Sequence, residues 1–356
     1  VAGATRNPCT TTMQMPKAQA AWHVLRVDTF LIAGMKILVT GANGFIGRAM
    51  LARLLTQPDV LAVGCVRTLT TCEGQPSPTG ACMITVPGGL ADDTDWSFAL
   101  NGVLCVVHTA ARVHVVPGSE QDPLREYRRI NVDGTLCLAR QAARAGVRRF
   151  LFVSSIKVNG EATAPGQAFT ADDAPAPLDA YGVSKWEAEQ GLWEIARRTG
   201  MEIVIVRPPL VYGPGVKANF AALLRAVCRG WPLPLGAIDN RRSYLALDNL
   251  VDFLAVCIVD ARAVNQTFVV SDGRDLSTRD LVLGMARAAG VQPRLMRVPV
   301  WMLRLSAAAL GRRAMAQRLC GNLQLDNAKA LSALGWTPPL ATDEALRRAV
   351  NAMVAR

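Results

Sequence analysis

A chain of 356 residues that is 51% hydrophobic and 19% charged has room for a nucleotide-binding core with a smaller second lobe, and is too apolar to stay disordered. The net charge of +11 comes from basic residues scattered singly or in pairs, which argues against nucleic acid as a partner and favours anionic small molecules. No apolar run is long enough to span a bilayer, the nine cysteines contain no CxxC pair, and His23, His108 and His114 lack metal-ligand spacing, so a cytoplasmic protein with reduced thiols and no metal is expected.

Residues 1–34 are polar and threonine-rich and are expected to form a disordered extension outside the fold. From Met35 onward, short β-rich runs alternate with helical stretches: "KILVT" (36–40), "VLAVGCV" (60–66), "CMITV" (82–86), "VLCVVH" (103–108), "FLFVS" (150–154) and "EIVIVR" (202–207). Continuous apolar strands separated by helices predict an α/β fold, a doubly wound parallel sheet covered on both faces.

The first strand runs into "TGANGFIG", with Gly41, Gly44 and Gly47 ahead of a helix. Glycines at this spacing make the turn tight, let backbone N–H groups approach a pyrophosphate and let the helix pack on the sheet. Asn43, Phe45 and Ile46 complete the candidate cofactor loop. These signals predict a Rossmann-type NAD(P)-binding domain over residues 35–208 and a smaller C-terminal α/β substrate-binding lobe over 209–356, partly interleaved with it. At the end of the second strand stands Arg67, with no carboxylate before Glu73; an arginine there suits the 2′-phosphate of NADP better than the ribose of NAD.

After the fifth strand come Ser154 and Ser155, and then "YGVSK" places Tyr181 and Lys185 four apart on a predicted helix. Positions i and i+4 share a face, so phenol and ammonium can enter one cleft at the strand ends. A cationic neighbour would bring a phenol, ordinarily near pKa ~10, towards working range as an acid/base.

One further stretch stands apart. From Leu281 to Leu325 there are seven arginines and no acidic residue, around "VPVWMLRLSAAALGRR". This reads either as an ordinary solvated helix of the second lobe or as an interfacial helix making weak peripheral contact with an anionic membrane.

Taken in order, "TGANGFIG", "NVDGT", "VSSIKVNG", "YGVSKWEAE" and "VRPPLVYGPG" resemble the extended short-chain dehydrogenase/reductase family, the NAD-dependent epimerase/dehydratase group acting on nucleotide sugars. "SSIKVNGE" and "GPGVKANF" are most similar to UDP-N-acetylquinovosamine 4-reductases of bacterial surface-polysaccharide synthesis, with UDP-glucose 4-epimerases next. The resemblance implies Tyr181 as the acid/base at the sugar C4 oxygen, Lys185 on the nicotinamide ribose, and Ser155 hydrogen-bonded to the same oxygen. It further implies Asn131 and the strand-end Ala110 and Ala111 beside the cofactor, Asn219 and Arg241 on a UDP-sugar, and a homodimer. The expected activity is NAD(P)-dependent reduction of a 4-keto UDP-hexose; the alternatives are a 4-epimerase, and a cofactor-sensing binding protein without turnover.

Three departures narrow the reading. Ile156 and Lys157 stand where the group's 4,6-dehydratases carry Asp and Glu, so that elimination lacks its acid and base. Leu210 replaces a substrate-contacting asparagine, and Gly89 an aspartate that holds adenine; Asp92 or a backbone group would have to substitute.

Overall fold

The computed structural model describes residues 34–67, 82–86, 89–113 and 122–354. Apart from Gly34, the expected N-terminal extension lies outside the described residues, with Cys9 and His23; so do Cys72, Glu73 and His114.

Six strands form where the apolar runs predict them, with ends shifted by two residues or fewer: β1 Met35–Thr40, β2 Val60–Val66, β3 Cys82–Thr85, β4 Cys105–His108, β5 Arg149–Val153 and β6 Glu202–Arg207. Three more escape the sequence reading: β7 Leu210–Tyr212, β8 Tyr244–Ala246 and β9 Gln266–Val269. They are three or four residues long, too short for an apolar run to stand out from the neighbouring helices. Seven strands form one sheet in the order β3-β2-β1-β4-β5-β6-β9, all neighbours parallel, and β7 and β8 pair separately. A strand from residues 266–269 thus closes one edge of the sheet begun at Met35.

Side chains of successive strand residues point to opposite faces, and both faces are apolar here. Ile37, Val39, Val107, Leu151, Val153, Val204 and Val206 pack on one side under the Phe45–Leu54 and Leu247–Val259 helices. Leu38, Val106, Phe150, Phe152, Ile203 and Ile205 pack on the other under the Thr135–Arg144 and Ala180–Thr199 helices. A third cluster, around Tyr212, Phe220, Leu281, Met285 and Leu346, forms the core of the C-terminal elements. Arg149, at the start of β5, is buried with its guanidinium donating to the carbonyls of Cys257, Ile258 and Asp260 at the end of the Leu247–Val259 helix, where helix carbonyls lack partners within the helix.

Cys65, Cys105, Cys137 and Cys257 are buried free thiols, and burial pushes Cys65 and Cys105 up to about 12. Cys82 differs from them: it lies exposed at the start of the edge strand β3.

Candidate active site

The strand order reverses between β1 and β4, whose last residues, Thr40 and His108, are paired. A crevice at the C-terminal ends of parallel strands opens at such a point. Gly41 follows immediately with φ +67°, and a Cβ there would lie 2.8 Å from the Ala110 nitrogen. Gly44 donates its N–H to the Gly41 carbonyl at 2.8 Å, and a Cβ on Gly47 would meet that same oxygen at 2.3 Å. A Cβ on Gly44 would also lie close to it, at 2.9 Å, so all three glycines are sterically required, one against Ala110 and two against the Gly41 carbonyl. Gly44 caps the Phe45–Leu54 helix in extended conformation, with no side-chain cap and no acidic residue in the first turn. The first-turn N–H groups and the positive end of the helix dipole thus have no internal anion.

Ala110 and Ala111 lie half-buried past the end of β4, next to this turn. Asn131 is buried in a π-helical turn, Arg128–Gly134. Its side chain accepts from the Arg112 N–H at 2.8 Å, donates to the Arg112 carbonyl at 3.0 Å and donates to Ser184 Oγ at 3.0 Å. The asparagine thereby ties the segment after β4 to the helix carrying Tyr181, and the wider π turn places it there.

Ser155 follows the end of β5 and caps a short 3₁₀ turn, Ile156–Val158, its Oγ accepting from the Lys157 N–H at 3.3 Å. Ser154, by contrast, is buried and donates to Glu189. Tyr181 opens the Ala180–Thr199 helix, whose N-cap Asp179 accepts from the Gly182 N–H at 2.7 Å. A Cβ on Gly182 would lie 2.8 Å from the Lys157 carbonyl oxygen, so the glycine next to Tyr181 is what lets the helix start abut the Ser155 turn. Lys157 closes the same junction by pairing with both Asp179 and Glu161. One turn further along, Lys185 is buried, donates to the Val153 carbonyl at 2.8 Å and lies 4.1 Å from the centre of the Phe152 ring. Ser155 and Lys185 thus meet at the end of β5, and Gly182 brings the helix start that carries Tyr181 against the Ser155 turn.

The electrostatics differ from the sequence expectation. Burial first, then the Asp179 carboxylate and Tyr127, raise the Tyr181 phenol above its ordinary value. Burial lowers Lys185 to about 7, against the pull of Glu189. The expected depression of the phenol by Lys185 is not found, because the lysine head is turned to the Val153 carbonyl and the charge beside Tyr181 is negative.

Behind the site runs a buried polar chain that the sequence reading missed. Ser154 donates to Glu189; Arg207 donates to both Glu189 oxygens at 3.1 and 2.6 Å and to Asn159 at 3.0 Å; Asn159 donates to the Thr170 carbonyl at 2.8 Å. A glutamate four residues beyond Lys185, opposite an arginine ending the neighbouring strand, was the available signal. Next to it, His108 is buried between Thr40 and Thr135 and stacks on Phe152; burial and the Lys185 charge lower it to about 3.

Other predicted residues stand further out. Arg67 is exposed at the end of β2, its side chain lying along Gly89. Gly89 has φ +70°, a left-handed conformation that glycine adopts freely. Asp92 is exposed nearby. Asn219 is exposed in the first turn of the Ala218–Cys228 helix, directly after Ala218, whose φ of +55° marks local strain. Arg241 is exposed, and its backbone is bonded to Asn322 and Leu323. No hydrogen bond among the described residues connects Asn219 or Arg241 to Ser155, Tyr181 or Lys185.

A dinucleotide fits the donor set: three glycines hold open a path to helix N–H groups, and a phenol, a hydroxyl and an ammonium stand two strands away. Residues 37–271 match the model of the NAD dependent epimerase/dehydratase family. The UDP-glucose 4-epimerase of Vibrio cholerae is 41% identical over 319 residues, 89% of this chain and 95% of that protein. The crystal structure of UDP-glucuronic acid 4-epimerase from Bacillus cereus in complex with NAD shares the fold, with TM-score 0.71, 21% identity, and coverage of 90% of this chain and 99% of that one. So does UDP-glucose 4-epimerase from Thermotoga maritima with UDP-glucose, with TM-score 0.70, 22% identity and the same coverage.

Proposed function

The chain belongs to the NAD dependent epimerase/dehydratase family, and from that premise we propose that it inverts the C4 hydroxyl of a UDP-hexose, as a UDP-glucose-type 4-epimerase. The observation that carries the reading is 41% identity along nearly the whole Vibrio cholerae 4-epimerase, in a chain that keeps Ser155, Tyr181 and Lys185 around one strand end.

Gly41, Gly44 and Gly47 with the first turn of the Phe45–Leu54 helix would hold the pyrophosphate of NAD, and Lys185 the nicotinamide ribose. Bound there, NAD would supply the hydride acceptor for C4 and then the donor. Tyr181 takes the O4 proton as the alcohol becomes a ketone, and gives it back when the ketone is reduced from its other face. Ser155 donates to O4, where negative charge develops, and holds it against the phenol. Because burial and Asp179 favour the neutral phenol, Tyr181 is set to return a proton; to take one it needs the Lys185 ammonium moved from the Val153 carbonyl towards the phenol.

Reduction of a 4-keto UDP-hexose by NADPH, of the UDP-N-acetylquinovosamine type, is favoured by one observation. Arg67 ends β2 exposed, where a forked guanidinium can meet a 2′-phosphate.

Identifying the nucleotide released on denaturing the purified protein separates the two. Stoichiometric NAD, with conversion of UDP-glucose to UDP-galactose without added cofactor, supports the epimerase. Nucleotide-free protein that oxidises NADPH with UDP-4-keto-6-deoxy-N-acetylglucosamine supports the reductase. Nucleotide binding without either reaction, and unchanged in Tyr181→Phe, points to a sensing protein instead.

A further inference from the structure

In the Val300–Ala309 helix no residue is buried. Val300 and Leu303 lean on the C-terminal core, while Trp301, Met302 and Leu305 are 64%, 46% and 61% exposed, and Leu310, just past the helix, 71%. Trp301 and Leu305 are one turn apart on the same side, with Met302 beside them. A lone exposed leucine is ordinary; three large apolar side chains gathered on one side of a short helix form a patch of the kind that docks.

The charge along this segment is one-sided. Of the seven arginines between Leu281 and Leu325, Arg287 lies 3.9 Å from Asp343; Arg294, Arg297, Arg304, Arg312, Arg313 and Arg318 are all exposed, and no carboxylate pairs with them among the described residues. Elsewhere exposed arginines do find carboxylates, as in Arg128–Glu187, Arg148–Glu202 and Arg347–Glu344. This segment has no acidic residue to offer.

We propose that this face docks the protein on an anionic phospholipid bilayer, with Trp301, Met302 and Leu305 entering the boundary between headgroups and acyl chains and the arginines meeting lipid phosphates. A helix of ten residues, about 15 Å long, lies in that boundary rather than crossing it, and among the described residues no helix is long and apolar enough to cross a membrane. An anionic surface offers apolar depth and negative charge together. A second copy of the chain placed symmetrically on this face would set the same unpaired guanidiniums against each other, with no carboxylate between Leu281 and Leu325 to offset them.

The test is sedimentation of the full-length protein with vesicles, either phosphatidylcholine alone or phosphatidylcholine with a third phosphatidylglycerol, at low and high salt. Binding is expected to the anionic vesicles only, and to fall as salt rises. Trp301→Ser combined with Leu305→Ser should lower the partition coefficient about tenfold or more. Arg304→Gln, Arg312→Gln and Arg313→Gln together should lower it about a hundredfold. Both variants should keep the wild-type circular dichroism and Tm, which separates lost docking from lost folding. Equal binding to neutral vesicles, or none to anionic ones, overturns the proposal. So does full binding by the Trp301/Leu305 variant, since attraction would then be charge alone. Light scattering that shows a dimer of the wild type and a monomer of that variant would assign the face to self-association, and an acidic protein that binds it while anionic vesicles do not would assign it to a protein partner.

Discussion

Arginine plays opposite parts in the strand-end cleft and on the Val300–Ala309 face. Arg207 is buried with a complete set of partners, Glu189 and Asn159, themselves buried and bonded onward to Ser154 and Thr170. Arg304 and its neighbours are exposed without a carboxylate among the described residues. A desolvated charge tolerates no loss of its partner, whereas a solvated one can be exchanged at little cost and stays available to something outside the chain. The first region builds a rigid back wall for chemistry, and the second leaves a surface open to an outside partner.

The contrast can be broken or sharpened by a graded series. Tyr181→Phe should lower turnover of UDP-glucose by about 10³-fold while the protein retains nucleotide, read by steady-state rates and by the nucleotide released on denaturation. Retained turnover would remove the cleft from the chemistry. Arg207→Met strands the Glu189 charge and should cost about 3–5 kcal/mol in urea unfolding, whereas Arg207→Met with Glu189→Leu should recover most of it. Gly47→Ala drives a Cβ towards the Gly41 carbonyl and should weaken nucleotide binding by about tenfold or more, measured by titration with NAD.

A pH effect follows from His108, whose folded value of about 3 lies below the ordinary 6.5. The unfolded chain binds a proton below pH 6.5 and the folded one does not, so this contribution to stability is complete above 6.5 and is lost as pH falls towards 3. Between pH 7 and pH 5 the wild type should lose roughly 2 kcal/mol more than His108→Gln in urea unfolding. At the small end, Arg304→Met should change stability by less than about 0.5 kcal/mol. A large loss there would mean that the face is part of the core after all, and the distinction between the two regions would fail.

What was legible in the chain was local. Glycines three apart after an apolar run, and tyrosine and lysine four apart at a helix start, carry their geometry in their spacing, and the structure puts the glycines past the end of β1 and Lys185 against the end of β5, two strands away. Ser155 and Ser154 divide as the strand end requires, one capping the next turn and one buried. The partners of the buried charges were illegible for the opposite reason: Glu189 and Arg207 are 18 residues apart and Arg207 and Asn159 are 48, and no periodicity connects them. Lys157, read only as a missing dehydratase acid, proves to be the clasp between the Ser155 turn and the Asp179 cap. The phenol's direction of shift was misjudged because i+4 spacing reports a shared face but not where a long side chain ends, and Lys185 ends on Val153.

By itself the amino-acid order determined the apolar strands of the sheet, the glycine turn and the identity of the acid/base candidates, because each is written in a pattern of residues close in the chain. Only the tertiary structure decided which charges are desolvated and paired, which are left facing outward, and which way the site's protonation leans. Those properties depend on burial and on partners brought together across the sheet, and burial is a property of the packed molecule.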